Sequence, residues 1–162
     1  APTRTPDAAP VAVAEFPVGE SQSFEDEEAR FRVELPGAPV LSEETDDDPN
    51  SLVVRHTAQF RDGDSELLLM WNDLLEVPQD PETQMAMLSE VARGWTESGL
   101  ELTDQSPTTL DTCVARTLRG KLEKQAVEGK IAICADTLIQ IVASGTYVDD
   151  AARVFESFVW LR

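Results

Sequence analysis

The sequence has few basic residues: it contains 13 Lys and Arg residues against 31 Asp and Glu residues, and its formal net charge is −18. Proteins that bind nucleic acid present a basic face to the phosphates, so we predict no nucleic-acid partner. The same shortage of basic residues disfavours binding to an anionic membrane surface. A basic partner protein or a cation is compatible with this charge, and so is a role in solubility alone.

Long apolar runs are also absent from the sequence. A membrane-spanning helix needs roughly 18 or more consecutive apolar residues, and no stretch of the chain approaches that length. The 162 residues, 41% of them hydrophobic, are typical of one globular domain with its own core. We therefore predict that the chain has no transmembrane segment.

Motifs that carry chemistry are scarce. The sequence contains one histidine, His56, and no Gly-x-Ser-x-Gly motif that would present a serine nucleophile to it. His56 shares a predicted strand face with apolar residues, so we interpret it as a packed core or edge histidine. One histidine and two distant cysteines do not match a zinc site, and the eight glycines form no phosphate-binding loop. We predict no catalytic residue, no cofactor and no dedicated metal site.

The many carboxylates leave two alternatives open. The acidic run from Glu43 to Asp48 lacks the Asp-x-Asp-x-Asp-Gly spacing that surrounds one calcium ion, so it allows only weak divalent-cation binding. Two carboxylates that converge in the fold could also hydrolyse a substrate. A carboxylate-dependent hydrolase without a recognisable motif is therefore kept as an alternative function.

The two cysteines, Cys113 and Cys134, lie on segments with the pattern of the two arms of a β-hairpin. If Cys113 faces Cys134, the same register places Arg119 opposite Glu128 and one alanine opposite another, as a correct register should. We predict a structural disulfide, since redox cysteines usually lie in a Cys-x-x-Cys motif. Two unpaired buried thiols are the alternative.

The cysteines also bear on the compartment. An even number of cysteines placed for a disulfide indicates an oxidising environment. The chain begins at Ala1 without an initiator Met, as expected when a secretory signal has been removed. We therefore predict an exported protein of the periplasm, the cell envelope or the extracellular space, although no signal or anchor is visible in the sequence.

The composition changes along the chain. Residues 1–29 are rich in Pro, Ala and then acidic residues, and predict a flexible leader; residues 30–162 predict a single α+β domain. Residues 1–50 hold three basic and thirteen acidic side chains, so the acidity is concentrated at the N-terminal end. The residues that we predict as possible contacts for a protein partner are Glu43, Glu44, Asp46, Asp47, Asp48 and, near the C-terminus, Trp160.

Local patterns predict the main elements. Apolar and polar residues alternate over residues 31–35 and 52–60, as in half-buried strands. Asp80 and Pro81 predict a helix start, because Asp is a favoured N-cap and Pro fits the first helical position. An apolar stripe continues this helix to Ser98, and a second stripe predicts a closing helix over residues 151–158.

The predicted hairpin arms, residues 113–122 and 126–135, are followed by an apolar strand at residues 138–143. A link at Asp136 and Thr137 would set Ile133 opposite Gln140 and complete a three-stranded antiparallel meander. Together the elements predict an α+β fold: a mainly antiparallel sheet of about six to seven strands covered by two main helices.

The order of these elements over residues 30–162 resembles the PsbP-like α/β/α group. The resemblance lies in the sequence FRVELPGAP at residues 31–39 and in ARVFESF at residues 152–158. That group includes small exported bacterial proteins and the extrinsic photosystem subunit. The resemblance implies a sheet sandwiched by helices and a binding or accessory role, and it transfers no site residue.

We therefore expect a non-enzymatic exported accessory or protein-binding domain, with a protein partner that the sequence does not identify. The alternative from another class is a structural subunit of a cell-envelope or extracellular assembly, in which Trp160 would lie at a contact.

Overall fold

The computed structural model of the chain describes residues 21–45 and 53–162. These residues form eleven strands, two α-helices and one 3-10 helix. The strands are β1 (Gln22–Glu25), β2 (Phe31–Leu35), β3 (Val40–Thr45), β4 (Val54–Asp62), β5 (Ser65–Asp73), β6 (Glu101–Asp104), β7 (Pro107–Leu110), β8 (Cys113–Leu122), β9 (Gln125–Cys134), β10 (Thr137–Ser144) and β11 (Val159–Trp160). The helices are α1 (Pro81–Glu97), the 3-10 helix (Gly145–Asp150) and α2 (Ala151–Ser157).

Two antiparallel sheets organise the described part of the chain. The main sheet has eight strands in the order β3-β4-β5-β10-β9-β8-β6, with β7 also pairing with β8, and a smaller sheet has the order β1-β2-β11. This confirms the predicted α+β fold with a large antiparallel sheet and two helices. The main sheet has more strands than the predicted six to seven. Strand β3 lies in a segment that the sequence marked only as acidic, and the short β7 is defined by its pairing with β8 rather than by a sequence pattern of its own.

The hairpin of β8 and β9 has the register that the sequence predicted. Arg119 lies opposite Glu128, and the Arg119 Nε is 3.7 Å from a Glu128 carboxylate oxygen. The Sγ atoms of Cys113 and Cys134 lie 2.02 Å apart, and both side chains are buried in the core. The predicted pair is therefore placed at disulfide distance.

The next pairing in the meander differs from the prediction. Ile133 lies opposite Leu138 rather than Gln140. Strand β9 runs on to its last residue before a two-residue turn of Ala135 and Asp136, where Ala135 adopts a left-handed φ of 53°. Because the shift is two residues, every side chain stays on its predicted face of the sheet.

Helix α1 covers one face of the main sheet. It begins as predicted, since the Asp80 carboxylate accepts a hydrogen bond of 2.8 Å from the Thr83 amide, which lowers the pKa of Asp80. It ends before Gly99, whose φ of 111° suits glycine at a helix C-terminus. Leu88 and Ala92 on the helix are fully buried against side chains of β8, β9 and β10.

Helix α2 and the smaller sheet cover the opposite face. The rings of Phe31 on β2 and Phe158 after α2 stack with centroids 5.4 Å apart. Both belong to a core cluster with Val154 and with the inward side chains of β5 and β10. As a result, β10 is buried on both of its faces along almost its whole length.

Strand β1 lies within the segment that the sequence predicted as a leader, residues 1–29. Strand β1 pairs with β2, with Phe24 opposite Val33, and the Phe24 ring packs against the aromatic core. The side chain of Asp26 is buried as well. Residues 22–26 of that segment are therefore part of the folded structure, whereas residues 1–20 lie outside the described part of the chain, and the flexible leader stays a prediction. Phe24 is the one large apolar side chain of β1, so no local pattern marks this strand.

Candidate functional site

A cavity of about 360 Å³ opens between the turn that follows β1 and the edge of the main sheet formed by β3, β4 and β5. Carboxylates and aromatic rings dominate its lining, and we call it the acidic cleft. Its acidic residues are Glu25, Asp26, Glu27, Glu28 and Glu43; its aromatic residues are Phe24, His56 and Trp71; and its other residues are Arg30, Leu41, Ser42 and Thr57.

The acidic wall of the cleft is a tight turn held by Asp26. The Asp26 carbonyl accepts a hydrogen bond of 2.9 Å from the amide of Ala29, which adopts a left-handed φ of 53°. The Asp26 carboxylate accepts further hydrogen bonds from the amide and the side chain of Arg30. Because these contacts turn Asp26 inward, its neighbours Glu27 and Glu28 stay exposed.

Arg30 anchors this turn to the main sheet. Its side chain is only 4% exposed, and its Nε lies 2.7 Å from the carboxylate of Asp26, whose side chain is 1% exposed. Its guanidinium also pairs with Asp73 at the end of β5 and lies 3.5 Å from the hydroxyl of Thr137 on β10. Burial acts to lower the pKa of Arg30, but the hydrogen bond and ion pair with Asp26 outweigh it, and the pKa is raised above its ordinary value.

The floor of the cleft is a row of three residues on adjacent strands. Glu43 on β3 lies opposite His56 on β4, which lies opposite Trp71 on β5. The His56 ring stacks on the Trp71 ring with centroids 5.3 Å apart, and its Nδ1 is 3.2 Å from a Glu43 carboxylate oxygen. Phe24 packs edge-on against the same tryptophan at 5.8 Å.

The charges of the cleft are unbalanced. Arg30 is the one permanently cationic side chain among its described lining residues, and its guanidinium is already occupied by Asp26 and Asp73. Glu25 and Glu27 remain exposed around the aromatic floor. Such a site suits the end of a lysine or arginine side chain, because its charge can meet the carboxylates while its alkyl chain lies on the rings.

The structure places the predicted contact residues at different sites. Glu43 lies in the acidic cleft, whereas its neighbour Glu44 points to the opposite face of the sheet and accepts a hydrogen bond of 3.3 Å from Arg55. Trp160 lies in β11, opposite Phe31, and is not among the residues that line the cleft. Residues 46–48, which complete that run, lie outside the described residues.

A second cavity lies on the face that carries Glu44. This groove of about 540 Å³ runs between α1 and the part of the sheet that α1 leaves uncovered. Leu68, Met70 and Trp95 line it, together with Gln140, which accepts a hydrogen bond of 2.8 Å from the Trp95 indole. Strand β3 therefore separates two cavities, one on each face of the sheet.

Within residues 21–45 and 53–162, no group of three or more His, Cys, Asp or Glu side chains is placed to hold a metal ion. In the same part of the chain, no helix has the length and apolar character needed to cross a membrane.

Comparison with known proteins gives a match in structure. No protein-family model matches the sequence, and no curated protein sequence matches it. The structure is similar to the solution structure of cyanobacterial PsbP, named CyanoP, from Synechocystis sp. PCC 6803. The match covers 99% of this chain and 100% of that chain, with a TM-score of 0.55 and 15% sequence identity. The chain has a PsbP-like fold. The resemblance predicted from the sequence is thereby confirmed for the fold, and at this identity the match carries the fold alone.

Of the residues that line the cleft, only Glu43 and His56 were singled out from the sequence. Asp26, Arg30 and Trp71, which build the site, were missed, and so were the exposed Glu25 and Glu27. The spacing of Asp26 and Arg30 is a signal that could have revealed that pair, because an acid four residues before an arginine can pair with it. The place of Trp71 under His56 follows from the register of β4 and β5.

Proposed function

We propose that the chain is a non-enzymatic, exported accessory domain that binds a basic segment of a partner protein in the acidic cleft. The observation that carries the proposal is the unbalanced charge of a concave, aromatic-floored site. Arg30 is neutralised by its own partners, and the exposed carboxylates of Glu25, Glu27 and Glu43 surround the opening. Charge complementarity of this kind steers a partner to the site and fixes its orientation.

Two further observations support the accessory and exported parts of the proposal. The PsbP-like fold is the architecture of a group to which the sequence resemblance assigns binding or accessory roles. Cys113 and Cys134 lie at disulfide distance, and disulfides persist in oxidising compartments.

The contacts of two other predicted residues favour binding in the cleft over the alternative functions. The half-buried Trp160 packs against the core of its own chain, and its backbone amide donates a hydrogen bond of 2.9 Å to Asp111, which supports a packing role for this residue. One face of the His56 ring is covered by Trp71, which supports our interpretation of His56 as a packing residue.

A peptide titration tests the proposal. The probe is a fluorescein-labelled peptide of eight residues rich in lysine, and its binding to the full chain is followed by fluorescence anisotropy at several NaCl concentrations. The variant Glu25→Gln/Glu27→Gln/Glu43→Gln is expected to bind about tenfold more weakly, since three exposed charge contacts of roughly 0.5 kcal/mol each amount to about one decade in affinity. Its salt dependence should also be shallower.

The matched control changes the same number of charges elsewhere. Glu82, Glu97 and Glu101 are exposed and lie outside the lining of the cleft, so their replacement by Gln should change the affinity less than twofold. Equal losses in the two triple variants would mean that the peptide responds only to the net charge of the protein, and the proposal would be wrong.

A further inference from the structure

Among residues 21–45 and 53–162, strand β3 has one unpaired edge, because it pairs with β4 alone and ends the strand order of the main sheet. It spans six residues, roughly 20 Å of extended backbone, and all six are exposed. The backbone N–H and C=O groups on the outer side of such a strand are a template for one more strand.

The side chains of β3 follow a pattern that is repeated on both faces of the sheet. Val40 and Leu41 are 70% and 61% exposed. The side chains of Glu43 and Glu44 are 59% and 62% exposed. Because neighbouring side chains in a strand alternate between faces, Leu41 and Glu43 share the face of the acidic cleft, and Val40 and Glu44 share the face of the groove. Along the direction of β3, each face of the strand therefore presents first an exposed apolar side chain and then an exposed carboxylate.

A second copy of this chain is a poor match for that edge. In an antiparallel pair of two β3 strands centred on Ser42, Val40 would lie opposite Glu44 and Leu41 opposite Glu43, so apolar side chains would meet carboxylates. A parallel pair in register would place carboxylate opposite carboxylate, which is destabilising. The net charge of −18 adds repulsion between any two copies.

We propose that a segment of the partner protein adds to β3 as an antiparallel strand, and that it carries two basic residues, then any residue, then two apolar residues. In that order the basic residues lie opposite Glu44 and Glu43, and the apolar residues lie opposite Leu41 and Val40. The inference rests on the proposed function and deepens it: the basic side chain opposite Glu43 is the one that reaches the acidic cleft. Main-chain hydrogen bonds supply affinity, and the cross-strand pairs supply the sequence preference.

Four peptides test the inference on the full chain. The parent contains Lys-Arg-Thr-Val-Ile between glycines, and the scrambled control has the same composition in the order Val-Ile-Thr-Lys-Arg, which sets apolar residues opposite both carboxylates. The other two peptides are N-methylated copies of the parent. One carries methyl groups on the backbone nitrogens of the first, third and fifth residues of this motif, and the other on those of the second and fourth. Only one set of N–H groups can face β3, so one methylated peptide should bind at least tenfold more weakly and the other about as tightly as the parent. The parent should bind at least tenfold more tightly than the scrambled peptide.

A charge exchange tests the register. The variant Glu43→Lys/Glu44→Lys should lose affinity for the parent at least tenfold and gain affinity for a peptide containing Glu-Glu-Thr-Val-Ile. The variant remains strongly acidic overall, so a gain for an acidic peptide requires local pairing with β3 rather than the long-range field.

The outcomes separate this inference from the proposed function. Equal binding of the parent, scrambled and both methylated peptides, with the glutamine triple variant still weakened, would overturn strand addition while the cleft remains a basic-peptide site. Failure of all the basic peptides to bind would overturn the proposed function and the inference with it. Sedimentation equilibrium should show a monomer; a dimer that Glu43→Lys/Glu44→Lys abolishes would place a second copy on β3 and overturn the inference.

Discussion

Replacing Arg30 by methionine is expected to lower the free energy of unfolding by about 3–5 kcal/mol, the usual effect of removing one partner of a buried ion pair. The side chains of Arg30 and Asp26 are 4% and 1% exposed, so the variant would leave the Asp26 carboxylate buried with its charge uncompensated. Urea unfolding followed by tryptophan fluorescence measures the loss.

Two controls show whether the effect comes from the buried charge. The double variant Asp26→Leu/Arg30→Met removes both charges, so it should lose less stability than Arg30→Met alone. Arg61→Met breaks an ion pair with Glu66 in which the Arg61 side chain is 64% exposed, and it should change stability far less. Equal losses for Arg30→Met and Arg61→Met would contradict the anchoring role of Arg30.

The second large effect is expected at the cysteine pair. Replacing Cys113 and Cys134 together by alanine should lower the free energy of unfolding by about 3 kcal/mol, because a cross-link across a loop of some twenty residues restricts the unfolded chain by that amount in the chain-entropy model. Unfolding of both proteins with and without a phosphine reductant measures the difference.

Reduction provides the matched control for this prediction. The reductant should destabilise the natural chain and leave the double alanine variant unchanged. Mass spectrometry under non-reducing conditions should detect a peptide that joins residues 113 and 134. Two free thiols in the natural chain would contradict the disulfide and remove one support of the exported location.

The parts of the fold that local sequence determines were predicted well. Asp80 and Pro81 mark the start of α1 because the N-cap and first-turn chemistry is contained in a few adjacent residues. The register of β8 and β9 was predicted because the cysteine pair and the pair of Arg119 and Glu128 both require it.

Other elements depend on distant contacts, and there the predictions were incomplete. Strand β1 exists because Phe24 packs on the rings of Phe31 and Trp71. The acidic, turn-rich sequence around Phe24 does not indicate these contacts. The turn at Glu123 and Lys124 has no Gly or Asn, yet both residues adopt a positive φ, because the paired strands on either side enforce the tight turn.

In the candidate site, too, single residues could be predicted from the sequence, whereas their contacts with distant residues could not. Glu43 and His56 were each singled out from the sequence, but their contact arises from the register of β3 and β4, which a single sequence does not reveal. The burial of Asp26 and Arg30 depends on Asp73 and Thr137, which are more than forty residues away in the chain. The acidic cleft is therefore a product of tertiary structure, assembled from segments that have no common motif.

The three tryptophans allow the central claim to be tested in one measurement, since each reports on a different site. Trp71 lies under the acidic cleft, Trp95 lines the groove beside α1, and Trp160 lies in the C-terminal strand. The ¹H–¹⁵N signals of their indole groups are followed while the lysine-rich peptide is added to the full chain. We predict that the Trp71 signal shifts with saturation while the Trp95 and Trp160 signals stay in place. A shift of Trp160 or Trp95 with Trp71 unchanged would contradict binding in the acidic cleft.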